Sequence, residues 1–106
     1  MLHISEDEKQ KIADSCFRTL RLEQLISSRR MQVMYRFEKS MYANPDQNLN
    51  NLRWDLVEKY QMLHRPSQRD TDADRASKIH VACYPCYYHN YMLGELLASQ
   101  LYYHLV

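Results

Sequence analysis

The sequence predicts an all-α fold, a bundle of three to four antiparallel helices, on three observations. Turn formers are scarce: there is one Gly and there are three Pro in 106 residues, where average Gly usage is about 7%. Apolar residues recur at helical spacing rather than in alternation. The breaks between periodic stretches fall at Asn44-Pro45 and Pro66, where a following proline biases its neighbour away from helical angles. Such a chain favours a few long helices over a many-stranded sheet.

The elements follow in order. Ser5-Glu6-Asp7-Glu8 reads as a capping box, with acidic residues placed where the helix dipole favours them. Ile12, Cys16 and Leu20 then form one apolar line, broadened by Phe17, Leu22, Leu25 and Ile26. Ser27-Ser28-Arg29-Arg30 interrupts it, and Met34, Phe37 and Met41 resume it. The stretch from Glu6 to Tyr42 is therefore one long helix, or two with a bend near Ser28. A second helix begins near Asn48, with Leu49, Leu52, Leu56, Tyr60 and Leu63 on a single face, and stops by Pro66. Ser67 to Arg75 is polar and aperiodic, hence a loop. Residues 76–84 are ambiguous, and IHVACY could be extended. A last helix is expected from Pro85, a residue suited to a first turn, to the C-terminus. Its stripe is Tyr87, Tyr91, Gly94, Ala98, Leu101 and Leu105, and Gly94 inside it implies close packing against another helix. Leu105 and Val106 leave a ragged apolar end, as in a truncated chain or a helix that finishes against another chain. Self-association through exposed apolar helix faces is the corresponding expectation.

Size and composition limit the function. The length suits one domain with a modest core. The hydrophobic share is 45% and the charged share 25%, ordinary for a soluble domain. A net charge of +1 makes no electrostatic case for nucleic acid or acidic lipid. No apolar run approaches the roughly 20 residues of a membrane span, and MLHISEDEK lacks the regions of a signal peptide. Three cysteines, an odd number, fit a reducing compartment better than a disulfide scaffold. Composition thus fits a cytoplasmic protein, although the leader of any longer, exported parent would precede this stretch. Nine Tyr against two Phe are less ordinary. A buried phenol wants a hydrogen-bond partner, so some of these tyrosines line a cleft or contact surface, or else sit on half-buried helix faces.

The densest chemistry lies in SKIHVACYPCYYHNYMLG, which holds Lys78, His80, Tyr88 and Tyr91. A phenol donates to an oxyanion while still protonated at neutral pH. Lys78 can pair with a carboxylate and His80 can donate to a carbonyl. Tyr88, Tyr91 and Glu95 share a helix edge. The set reads either as a ligand site for a peptide or carboxylate, or as a tyrosine-rich packing face.

The segment NLRWDLVEKYQMLHRPSQRDTDADRASKIH, with the YYHNY that follows, resembles the C-terminal half of the angiotensin-converting-enzyme family, helical zinc peptidases that remove dipeptides from peptide C-termini. The matching features are Lys59-Tyr60-Gln61 ending an aromatic-rich helix, a loop with Pro66 and Arg69, then Lys-x-His, then Tyr-x-x-Tyr. YPCYYHNYMLGE also resembles the thimet-oligopeptidase and oligoendopeptidase relatives, and HNYMLGELLASQL is closer to bacterial members. The likeness covers roughly residues 30–106. It implies that the chain forms one wall of a helical peptidase cleft, as the C-terminal part of a larger catalytic domain that acts on peptide substrates. It implies that Lys78 and Tyr88 hold the substrate carboxylate, His80 donates to a carbonyl near the cut bond, and Tyr91 donates to the oxyanion. The spacing from His80 to Tyr88 is one residue longer than in animal members, which leaves Tyr87 as an alternative to Tyr88.

The departure concerns the metal. A zincin needs H-E-x-x-H and a further Glu. None of the five His is followed by Glu, and no two lie four apart. The resemblance therefore implies zinc in the parent enzyme, no metal ligand in this chain, and no hydrolysis by this chain alone. Two other classes stay open. One is a helical interaction module or subunit descended from such an enzyme. The other is a small thiol or metal module on Cys83 and Cys86, flanked by His80 and His89. Asp70-x-Asp72-x-Asp74 opens like a calcium loop but has Arg75 where Gly is required and Val81 where the closing Glu belongs, which rejects it. Arg29, Arg30 and Arg36 read as a solvated helix edge.

Overall fold

The computed structural model describes residues 4–68, 73 and 75–106. Its elements are α1 (Glu6–Ala43), α2 (Leu49–Gln61), α3 (Ile79–Ala82) and α4 (His89–Leu105), with no strand among the described residues. The all-α expectation holds. None of these helices is long and apolar enough to cross a membrane.

The capping box forms as the sequence predicts. Glu8 N–H donates to Ser5 Oγ at 3.3 Å, and Ser5 N–H donates to Glu8 Oε2 at 3.0 Å. α1 then runs unbroken for 38 residues, so the alternative bend near Ser28 does not occur. The hydroxyls that interrupt the apolar line are accommodated inside the helix. Ser28 Oγ donates to the Leu25 carbonyl at 2.8 Å and Thr19 Oγ1 to that of Ser15 at 3.0 Å. With no Gly or Pro in the interval, nothing forces a kink. Asn44 ends the helix in an extended conformation before Pro45. Gln47 folds back, its Nε2 donating to the Ser40 carbonyl at 2.8 Å and the Asn44 carbonyl at 2.7 Å, which satisfies acceptors a helix end leaves open.

α2 opens on Asn48, whose Oδ1 accepts from Asn51 N–H at 2.9 Å. It closes earlier than expected, at Gln61, through Met62 in the left-handed region (φ 58°). Leu63, placed by periodicity on the single apolar face of the helix, lies beyond the helix end and is exposed. Met62 N–H still donates to the Glu58 carbonyl at 3.1 Å. α3 resolves the ambiguity of IHVACY as a single helical turn. Pro85 does not open the last helix. It sits in a turn with Cys86 at φ 59°, and α4 begins at His89.

The core is small and sits where α2 crosses the C-terminal half of α1. Val33, Met34 and Phe37 of α1, Val57 of α2 and Tyr88 make it up, and Glu38 and Arg75 are buried beside them. Arg75 pins the end of the long loop: its guanidinium stacks 4.0 Å from the Phe37 ring centroid, and Nη1 donates to the Leu49 carbonyl at 3.2 Å. The apolar line at the other end of α1 is not buried. Ile12, Phe17 and Leu20 are all more than half exposed. Geometry explains this, since 38 residues of helix span about 57 Å and the 13 of α2 about 20 Å. The molecule measures 59 × 35 × 26 Å.

Gly94 departs from expectation as well. A Cβ built there meets nothing within 4 Å, so close helix packing does not account for it. Gly94→Ala should therefore raise stability by about 0.5–1 kcal/mol through helix propensity alone, read as a higher urea midpoint. Phe37→Ala should cost about 3–5 kcal/mol in the same measurement, because it opens a cavity under Arg75.

Candidate functional site

Four residues separated in the chain come together. Lys78 precedes α3, His80 lies within it, Tyr88 caps α4 and Tyr91 lies in its first turn. The short α3 and the turn at 83–88 bring these pieces within reach of one another. Lys78 Nζ donates to Tyr88 Oη at 3.2 Å and also sits 4.6 Å from the centre of that ring. His80 Nε2 and Tyr91 Oη lie 3.1 Å apart. The three rings stack edge to face, with centroids 5.0 Å apart for His80–Tyr88 and 5.5 Å for Tyr88–Tyr91. Tyr88 is buried and Tyr91 is exposed, so the cluster has a packed base and an open front.

Tyr88 is the tyrosine that meets Lys78. Tyr87 is half exposed and its ring packs instead edge-on against Tyr91, at 5.9 Å. The front opens on a groove of about 450 Å³ whose far wall is α1, at Glu23, Gln24 and Ser27, and whose near wall is His80, Tyr91 and Glu95. Glu95 Oε2 accepts from Gln24 Nε2 at 3.0 Å and joins α4 to α1 across the groove. Tyr88 Oη accepts a hydrogen bond from the Lys78 ammonium, and its own O–H can donate to another acceptor. The arrangement can thus present an ammonium, a phenol O–H and the His80–Tyr91 pair to a ligand rich in acceptors.

Sequence reasoning missed Glu38. It stands one residue after Phe37 on the inner face of α1 and is buried, with Oε1 meeting no hydrogen-bond partner among the described residues. Burial pushes its carboxyl above the ordinary carboxylate range, opposed by the backbone N–H of Cys86 and by the nearby His89 and His80. Its place within the line from Met34 to Met41 was the available signal, since a Glu in an apolar stripe is either misplaced or partnered. His89 was also missed as a packing residue; its ring meets Tyr35 edge-on at 5.7 Å.

The Cys83–Cys86 pair is exposed and its thiols are free. Among the described residues no three His, Cys, Asp or Glu side chains come together as a group that could hold a metal ion. Arg69 and the Asp70-x-Asp72-x-Asp74 pattern lie outside the described residues. No family model, curated protein or solved structure matches the chain.

A carboxyl whose pKa is raised in the folded state takes up a proton on folding. Its contribution is greatest below the ordinary value of 4.5 and is lost as pH rises through the raised one. Glu38→Gln keeps an acceptor for Cys86 and removes the buried charge. Urea midpoints between about pH 4 and 8 should show the Gln variant gaining on the parent as pH rises; parallel profiles would contradict the assignment.

Proposed function

We propose that this chain is the substrate-holding part of a zinc-dependent peptidase of the peptidyl-dipeptidase type, and that it binds peptide without cutting it when alone. One observation carries the reading: Lys78 meets Tyr88 and His80 meets Tyr91, and His80, Tyr88 and Tyr91 line one groove, with Lys78 behind Tyr88. Lys78 and Tyr88 together offer an ammonium and a phenol to a terminal carboxylate, a charge-assisted arrangement. His80 donates to a peptide carbonyl, and Tyr91 provides the donor for an oxyanion. The described residues do not fit a zinc ion, so the metal is assigned to the longer enzyme and no step on it is derived from this chain. Hydrolysis would require that other half, because these groups orient and polarise a peptide but activate no water.

The large apolar surface left on α1 and α4 favours a second reading, in which the chain is a helical subunit descended from such an enzyme.

The test is binding of short peptides followed by amide-resonance shifts. A tripeptide with a free carboxylate should bind at least about tenfold more tightly than its C-terminal amide, the scale of one charge-assisted contact. Lys78→Met should abolish that preference, while Tyr91→Phe should leave it in place. No peptide should be cleaved, with or without added zinc. Equal binding of acid and amide would overturn the carboxylate assignment.

A further inference from the structure

The seam that α2 covers does not stop where α2 stops. Val33 and Phe37, 2% exposed each, pack against α2 on one line of α1. At alternating spacings of four and three, the same line continues back through Arg30, Ile26, Glu23, Thr19, Cys16 and Ile12. There nothing covers it: Ile12 is 53% exposed and Ile26 54%, with Leu22 beside them at 58%. α4 faces the neighbouring line of Gln24 and Met31, with Glu23 at the edge of the groove between the helices, and leaves Ile12, Cys16, Thr19 and Ile26 open. α4 is itself unburied, with Leu97 and Leu101 both more than half exposed and Glu95 its one Asp, Glu, Lys or Arg.

We infer that a second copy of this chain covers the seam, the N-terminal halves of two α1 helices pairing antiparallel about a twofold axis at Thr19. Three observations select a second copy. The chain exposes 8827 Å², roughly 2,500 Å² more than the ~6,300 Å² of a compact protein of its mass. That excess, summed over the whole chain with the exposed faces of both α1 and α4, is of the order that one partner buries in an obligate dimer, about 1,000–2,500 Å². The seam is also self-complementary in this register. Ile12 falls opposite Ile26, Cys16 opposite Leu22, and Glu8 in the acidic first turn opposite Arg30, once on each side of the axis. Finally, a net charge of +1 sets little repulsion between copies. The two α4 helices would flank the pair, and the C-terminal halves would project outward with their small cores intact. The pairing stands on the seam alone and does not depend on the peptide-binding reading.

Sedimentation equilibrium of the full chain at tens of micromolar should give twice the 12.8 kDa chain mass. Ile26→Glu should weaken association at least 100-fold while the far-UV circular dichroism stays helical. Glu8→Lys and Arg30→Glu should each weaken it about tenfold, since each replaces two attractive contacts with two repulsive ones, and the double variant should recover the parental constant. Both Glu8→Lys proteins lose the capping box, so recovery in the double cannot come from the cap. In a background with Cys16, Cys83 and Cys86 replaced by Ser, Thr19→Cys should oxidise to a covalent dimer, and Arg21→Cys, on the opposite face, should not. A helical monomer at that concentration, polydisperse larger species, or a dimer indifferent to the Glu8/Arg30 exchange would each overturn the proposal.

Discussion

The architecture depends on the layer around Phe37. Its side chain is buried beside Met41 of its own helix and Leu49 and Asn50 of α2, and the Arg75 guanidinium lies 4.0 Å from the ring centre. A guanidinium is less strongly hydrated than an ammonium and stacks on an aromatic face, so it can close a small core where another apolar residue would have to be found. The same group donates to the Leu49 carbonyl and so ties the end of the long loop to the start of α2. Lys78 and His80 follow at once in the chain. The position of the candidate site is thus a consequence of how one phenylalanine is covered.

Glu38 shows what that placement costs. A buried carboxylate with one oxygen unpartnered among the described residues is unfavourable in itself. Its compensation is the Cys86 amide and the neighbourhood of His80 and His89, and these lie on the segment that presents Tyr88 and Tyr91. A carboxylate one residue from the core anchor therefore holds the turn that aims the tyrosines. Tension between core and site of this kind is common where function constrains packing.

The rest of the molecule is defined by surface that the core does not use. The radius of gyration is 18.7 Å, where a compact chain of this length would have about 13 Å. α4 buries none of its residues, and α1 buries only Val33, Met34, Phe37 and Glu38, all in its C-terminal half. A groove with polar groups lies on one side of α1 and bare apolar seams lie on another.

Much of the fold was legible before any coordinates. The capping box, the stop at Asn44-Pro45 and the start at Asn48 are local signals, each set by a few adjacent residues. Lys78, His80, Tyr88 and Tyr91 were legible as a chemical set, and their pairing rests on hydrogen bonds that span ten and eleven residues. The start at Pro85, the extension of the second helix to Leu63 and the close approach at Gly94 were misread. Each of those depended on what the residue would meet. The sequence by itself determined where helices form and which of their faces are apolar, because helix formation is a matter of spacing and local hydrogen bonding. Only the tertiary structure decided which apolar face found a partner, that Glu38 would be buried beneath the histidines, and that Tyr88 rather than Tyr87 would meet Lys78. Periodicity is satisfied by any partner or by none, whereas burial requires a second surface at the right height along the helix.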